Sequence, residues 1–148
     1  MKIKVAWIGK TKEPAILSLT EEYLKRISRY VPVEGITVRD EADLLAKFGS
    51  GAKGGVKASL VLMDSRGKEL SSEQFAKFLG DYQDRNPLPL VFAIGGADGL
   101  SAAARSAAQQ VISLGKMTLP HELARVVLLE QIYRAFTILK GHPYHSGH

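Results

Sequence analysis

Two uninterrupted apolar runs, SLVLMD at 59–64 and LVFAI at 90–94, limit what this chain can fold into. A strand with one wet face alternates apolar and polar side chains, so a run that is apolar at successive positions has to be covered on both sides. The segments around these runs alternate in kind. We read strands at Lys2–Gly9, Val33–Arg39, Ser59–Asp64, Leu88–Ile94 and Val111–Leu114, and helices at Ala15–Arg29, Asp40–Phe48, Ser72–Tyr82, Ser101–Gln110 and Pro120–Lys140. This order predicts an α/β fold, a mostly parallel sheet covered by helices on both faces. With 148 residues, no internal repeat and no dividing linker, the chain is expected to form one domain, 1–148.

Ligands of open parallel sheets sit beyond the carboxyl ends of the strands, where Asp64, the Gly95–Gly99 segment and the residues after Leu114 are expected to converge. Gly95-Gly96-Ala97-Asp98-Gly99 has the strand–loop–helix setting that nucleotide-like ligands exploit. Glycines permit positive φ and close approach of backbone amides, and the helix that follows offers unpaired N–H groups. Neither G-x-G-x-x-G nor G-x-x-x-x-G-K-[ST] occurs, which disfavours a dinucleotide-binding oxidoreductase fragment. A tight turn with Ser101 as helix cap accounts for the same residues without a ligand.

The chain has no cysteine, which excludes disulfides, thiolate metal sites and any mechanism through a covalent thioether to a pyrimidine ring. Its formal net charge of +5 is concentrated early: residues 1–57 hold 11 Lys/Arg against 7 Asp/Glu. Lys47, Lys53 and Lys57 belong to an acid-free, glycine-rich stretch, KFGSGAKGGVK, that could settle on phosphates or remain a solvated loop. Residues 121–140 contain 12 apolar side chains, too many for one stripe, so a second subunit is expected to cover the excess and form a two-fold homodimer. The amino terminus shows no signal-peptide pattern and no stretch spans a bilayer; the expectation is a cytoplasmic protein without a membrane partner.

Three segments, VLMDSRG (61–67), IGGADGLS (94–101) and SLGKMTLPHELARVVLLEQIYRAFTILKGHPYH (113–145), closely resemble the ribosomal large-subunit pseudouridine N3-methyltransferase family, within the SPOUT class of knotted methyltransferases. The resemblance covers essentially the whole chain; Met63 stands where relatives commonly have Leu, and Ala97-Asp98 lies at a variable position. It implies a deep trefoil knot in the carboxyl-terminal part and S-adenosylmethionine (AdoMet) held bent among the knot loops. It also implies a dimer with a site near the subunit interface, and a pseudouridine in 23S rRNA on the assembled ribosome as substrate. The same resemblance puts Met63, Gly96, Gly115, Lys116, Met117, Thr118, Leu119 and Pro120 in the cofactor pocket.

Methyl transfer to a neutral imide nitrogen needs alignment together with a base or a stabiliser of the developing anion, and no metal. Candidates are His145 as proton acceptor, Tyr144 to orient or stack on a base, and Arg125 and Arg134, on the polar face of the last helix, to hold phosphate or anion. Asp64 could accept from a ribose hydroxyl or simply cap a turn, and His121 reads as a helix-start residue. His142, His145 and His148 are spaced by three but lack acidic co-ligands, so no metal site is expected. The competing reading is a basic RNA- or ribosome-binding module without catalysis.

Overall fold

The computed structural model describes residues 1–49 and 58–145; of the acid-free basic stretch, Lys47 falls within this range and Lys53 and Lys57 lie outside it. In chain order the elements are β1 (Ile3–Ile8), α1 (Pro14–Ile27), β2 (Val33–Val38), α2 (Glu41–Phe48), β3 (Ser59–Glu69), α3 (Ser72–Arg85), β4 (Leu90–Ile94), α4 (Ala102–Ala107), β5 (Gln110–Ser113) and α5 (His121–Leu139). The five strands form one sheet in the order β2-β1-β4-β3-β5, and every pairing is parallel.

Alternate residues of each central strand serve opposite layers. Val5, Trp7, Val61, Met63, Phe92 and Ile94 pack with α1, α3 and α5, whereas Ala6, Leu60, Leu62, Val91 and Ala93 pack with α2 and α4. Both faces are therefore buried, as the apolar runs require. Among the described residues no helix is long and apolar enough to cross a membrane.

The excess apolar surface of α5 is covered chiefly by its own chain. Val126, Leu128, Leu129, Ile132, Ala135 and Phe136 are buried against the sheet with α1 and α3 alongside, leaving Leu123 and Leu139 exposed. A helix flanked by two others on a sheet needs an apolar circumference without any partner subunit, so that line of argument for a dimer fails.

Boundaries moved where side chains from elsewhere intervene. The third strand does not stop at Asp64 but runs to Glu69: Met63 and Lys68 both lie opposite Ile112, so residues 64–67 bulge out between two paired stretches. Gly67 makes this possible, because a β-carbon there would lie 2.6 Å from the Val111 carbonyl carbon. The fourth helix ends at Ala107 instead of Gln110, because Gln109 already joins the sheet. Its N–H donates to the Leu60 carbonyl and its side-chain oxygen accepts from the Leu60 N–H, both at 2.9 Å. Helix α3 continues to Arg85, and β4 starts only at Leu90.

Gly67→Ala is expected to lower unfolding free energy by roughly 1–3 kcal/mol, since rigid backbone and not a side-chain tip blocks the added methyl. Gly96→Ala, whose β-carbon would make an ordinary 3.6 Å contact with Ile8, should stay within about 0.5 kcal/mol. Urea denaturation of both variants checks the contrast.

Candidate functional site

The register sets three strands level at one edge, because Ile94, the last residue of β4, lies opposite Trp7 of β1 and opposite Met63, the last paired residue of β3 before its bulge. Beyond that edge opens a cavity of about 700 Å³, within the range of small-molecule sites. Its walls are Met63 with Asp64 and Ser65 at the start of the β3 bulge, the Gly95–Gly99 loop, the segment from Leu114 to Pro120, and His121 and Ala124 at the start of α5.

Each wall has a local cause. Gly96 and Gly99 bridge as a miniature hairpin around Ala97-Asp98, with the Gly99 N–H donating to the Gly96 carbonyl at 3.0 Å. Only Gly99 of the three hinge glycines has positive φ, at 74°. Gly95 is needed for a different reason: a β-carbon there would lie 2.8 Å from the Gly99 carbonyl carbon. Behind the hairpin, Ser101 caps α4 by accepting from the Ala104 N–H at 3.1 Å. The Glu41 carboxylate in turn grips the Ser101 N–H and hydroxyl at 2.7 and 2.6 Å. On the opposite wall the buried Ser113 hydroxyl accepts from the Gly115 N–H at 3.0 Å, and Gly115 turns the chain at φ 136°. Pro120, at the cap position of α5, completes that wall.

Of the residues predicted for the pocket, Met63, Gly96, Gly115, Met117, Thr118, Leu119 and Pro120 line the cavity. Lys116 is exposed and outside its lining, and Met117 is 86% exposed at the mouth. His121 also lines the cavity, as the first residue of α5. Asp64 faces it too, but its carboxylate accepts the Arg66 N–H at 2.9 Å and lies 3.8 Å from the guanidinium groups of Arg66 and Arg105. It organises the bulge.

The candidate catalytic residues lie elsewhere. Arg125 is not on a polar face: it is 1% exposed, with its guanidinium 4.0 Å from the Trp7 ring centre and donating to the Thr11 hydroxyl at 2.6 Å. Burial pulls its pKa down while Glu122 works against that shift. Helical spacing put Arg125 on the wrong side, because the stacking surface of Trp7 comes from β1, far away in sequence.

Arg134, Tyr144 and His145 do come together, around Glu130. The Arg134 guanidinium grips the Glu130 carboxylate at 2.7 Å and sits over the Tyr144 ring at 4.9 Å, and the Tyr144 hydroxyl donates to Glu130 at 3.2 Å. His145 bridges Arg134 at 2.8 Å through Nδ1 and Glu73 at 2.7 Å through Nε2. A guanidinium can only donate, so Nδ1 accepts and Nε2–H points to Glu73. The Tyr144 phenol is pushed up to about 12, first by burial and then by the Glu130 charge, and is therefore neutral near pH 7. His142 turns to a different partner, the Tyr30 hydroxyl at 2.6 Å. Among the described residues no three His, Asp or Glu side chains converge as a metal site would require.

Sequence reading missed Glu41, Glu73, Glu122 and Glu130, because each acts across the fold or on the tail. The only signal was the i, i+4 spacing of Glu130 and Arg134.

A parallel sheet with a cavity beyond its carboxyl edge defines a protein of the open-sheet α/β class, whose ligand sites lie at that edge. The family model described as "Predicted SPOUT methyltransferase" matches residues 1–145. The chain belongs to the SPOUT methyltransferase family. It is 57% identical over 148 residues to the "Ribosomal RNA large subunit methyltransferase H" of Koribacter versatilis, covering 100% of both chains. In fold it is similar to a probable methylase family protein from Haemophilus influenzae, with TM-score 0.60 and 12% identity over 98% of this chain and 70% of that one. It is also similar to the SpoU methyltransferase AviRb from Streptomyces viridochromogenes in complex with the cofactor AdoMet, with TM-score 0.52 and 15% identity over 88% and 56% of the two chains.

Two outcomes follow. Gly96 has room for a β-carbon and ordinary φ, so Gly96→Trp should fold and fill the cavity, leaving the melting temperature in calorimetry nearly unchanged while losing affinity for any ligand that occupies the cavity. The hydrogen bond from His145 is the main cause that holds the Glu73 carboxyl below the ordinary range. A depressed carboxyl pKa contributes at pH above the unfolded value and is lost as pH falls through the folded one. Carboxypeptidase release of the tail should therefore rise as the pH falls below the ordinary glutamate range, and Glu73→Gln should abolish that step.

Proposed function

We propose that this chain transfers the methyl group of AdoMet to N3 of a pseudouridine in 23S rRNA on the assembled ribosome, acting in the cytoplasm as a single-domain subunit of a homodimer. The observation that carries the reading is the cavity of about 700 Å³ beyond the ends of β1 and β4 and the start of the β3 bulge. Family membership and the name of the relative at 57% identity support it.

The residues present fit the cofactor. The Gly95–Gly99 hairpin lines the cavity with three residues that have no side chain, which leaves its backbone within reach of a ligand, and Met63, Ile94, Leu114, Leu119 and Ala124 supply apolar contact for an adenine ring. AdoMet, when bound, supplies an electrophilic methyl carbon. The chain's own part is to orient the donor, keep water from it and help the acceptor nitrogen lose its proton. The knot follows the same reading, since the segment after β5 returns from the sheet edge to wall the cavity beside β3 and β4.

Arg134 and His145 are suited to that proton step: a guanidinium fixed by Glu130 stabilises developing anionic charge, and the imidazole accepts the proton once its contacts release. They do not sit at their own chain's cavity. His121 and Arg134 are 13 residues apart on α5, which places the tail cluster about 20 Å along the axis from the cavity wall. A second copy, packed through the exposed Leu17, Leu19 and Leu123 on α1 and α5, would bring its tail to the first copy's cavity. The alternative, an RNA-binding module without chemistry, predicts no AdoMet affinity.

Mass spectrometry of rRNA nucleosides from cells lacking the gene should show the loss of one N3-methylated pseudouridine. In vitro, Gly96→Trp and Arg134→Met should each be inactive, and their mixture should regain roughly a quarter of wild-type turnover through heterodimers carrying one intact site. No regain would leave the tail acting within its own chain, and absence of AdoMet binding by the wild type would leave only the module.

A further inference from the structure

Between β1 and α1 the chain runs from Gly9 to Glu13 along the carboxyl edge of the sheet, beside the Gly95–Gly99 hairpin, because β1 is the lateral neighbour of β4. This loop is tied from below by α5 at two points. The Arg125 guanidinium donates to the Thr11 hydroxyl at 2.6 Å, and the Glu122 carboxylate accepts the Lys12 N–H at 2.8 Å and the Glu13 N–H at 3.4 Å. Both anchoring groups are thereby occupied: the loop amides are the main cause that lowers the Glu122 pKa, and Arg125 is sealed under Trp7. Among the described residues the buried Arg125 Nε and Trp7 Nε1 have no hydrogen-bond partner, so this contact is kept despite two unsatisfied donors.

The loop's own cations are left outward. Lys10 and Lys12 are exposed, and among the described residues neither forms an ion pair; the same holds for Lys116 at the cavity's other rim. Other cations near this edge are committed: Arg39 and Lys47 pair with Asp43, and Arg66 and Arg105 flank Asp64. Unpaired lysines on a braced loop suit a polyanion, because a phosphate meets charge already in place and little loop entropy remains to be lost.

We infer that the Gly9–Glu13 loop is a preorganised platform for the RNA sugar-phosphate backbone next to the target nucleotide, with Lys10 and Lys12 contacting phosphates and Arg125 and Glu122 acting as positioning residues. The inference rests on the RNA methyltransferase reading above. It assigns RNA binding to a surface separate from the cofactor cavity, so the two ligands are separable by mutation.

Binding of assembled ribosomes from cells lacking the gene, measured by filter retention over a potassium chloride series, tests it with the full chain. The Lys10→Ala/Lys12→Ala variant should bind at least tenfold more weakly, and the slope of log K against log salt should fall by about 1.5–2, as expected for two lost phosphate contacts. Its AdoMet affinity should equal that of the wild type. Thr11→Val, which cuts one tie and keeps both lysines, should speed tryptic cleavage after Lys10 and Lys12 and weaken ribosome binding. An unchanged salt slope in the double variant overturns the platform while leaving the methyltransferase reading intact. A loss of AdoMet affinity in it also overturns the platform and makes the loop part of the cofactor cavity. Wild-type protein that binds ribosomes but no AdoMet sinks the methyltransferase reading alone.

Discussion

The register that sets Ile94 opposite both Trp7 and Met63 is the constraint on which the rest of this molecule depends. Parallel strands that end level leave their connecting loops on one rim, and a rim with three converging loops forms a concavity. Slipping β4 by one residue would turn Val91 and Ala93 toward the α1–α3–α5 layer and move the Gly95–Gly99 hairpin off its neighbours. The apolar burial on both faces that fixes the register therefore also fixes the site, so core packing and cavity shape have a single origin.

Polar groups are spent on holding that rim. Glu41 grips Ser101 behind the hairpin, Ser113 turns the chain at Gly115, and Glu122 and Arg125 tie the β1–α1 loop to α5. The Glu41 tie and the two α5 ties join segments distant in sequence, whereas the Ser113 tie is a local turn. Together they fix the backbone around the cavity, and a site holds its ligand only as accurately as its supporting contacts hold its walls.

The tail follows different physics. Tyr144 and His145 dock through an ionic and hydrogen-bonded network around Glu130, Arg134 and Glu73, with the Tyr144 ring also packed 4.8 Å from that of Tyr133. A network on the partly exposed face of a helix is weaker and more sensitive to pH and salt than the core. In the reading proposed above, such a tail can leave its resting contacts and serve a neighbouring cavity.

The alternation of strands and helices, the two-sided burial of the 59–63 and 90–94 runs and the meeting of Asp64, Gly95–Gly99 and the segment after Leu114 at one edge were legible in the residues, because hydrophobic period and strand order are local patterns; the individual pocket residues Met63, Gly96 and 115–120 came from the family resemblance, and Lys116 among them lies outside the cavity lining. The bulge at 64–67 was not, since it exists only because Gly67 lies against Val111 of another strand. Arg125 was misplaced for the same reason: its polarity argued for a solvent-facing position, while the aromatic ring that makes burial tolerable lies across the fold at Trp7. Local order of elements came from short-range pattern, whereas partners for buried charges, strand register across the sheet and the distance between tail and cavity arise from contacts between remote segments, which no window of neighbouring residues encodes.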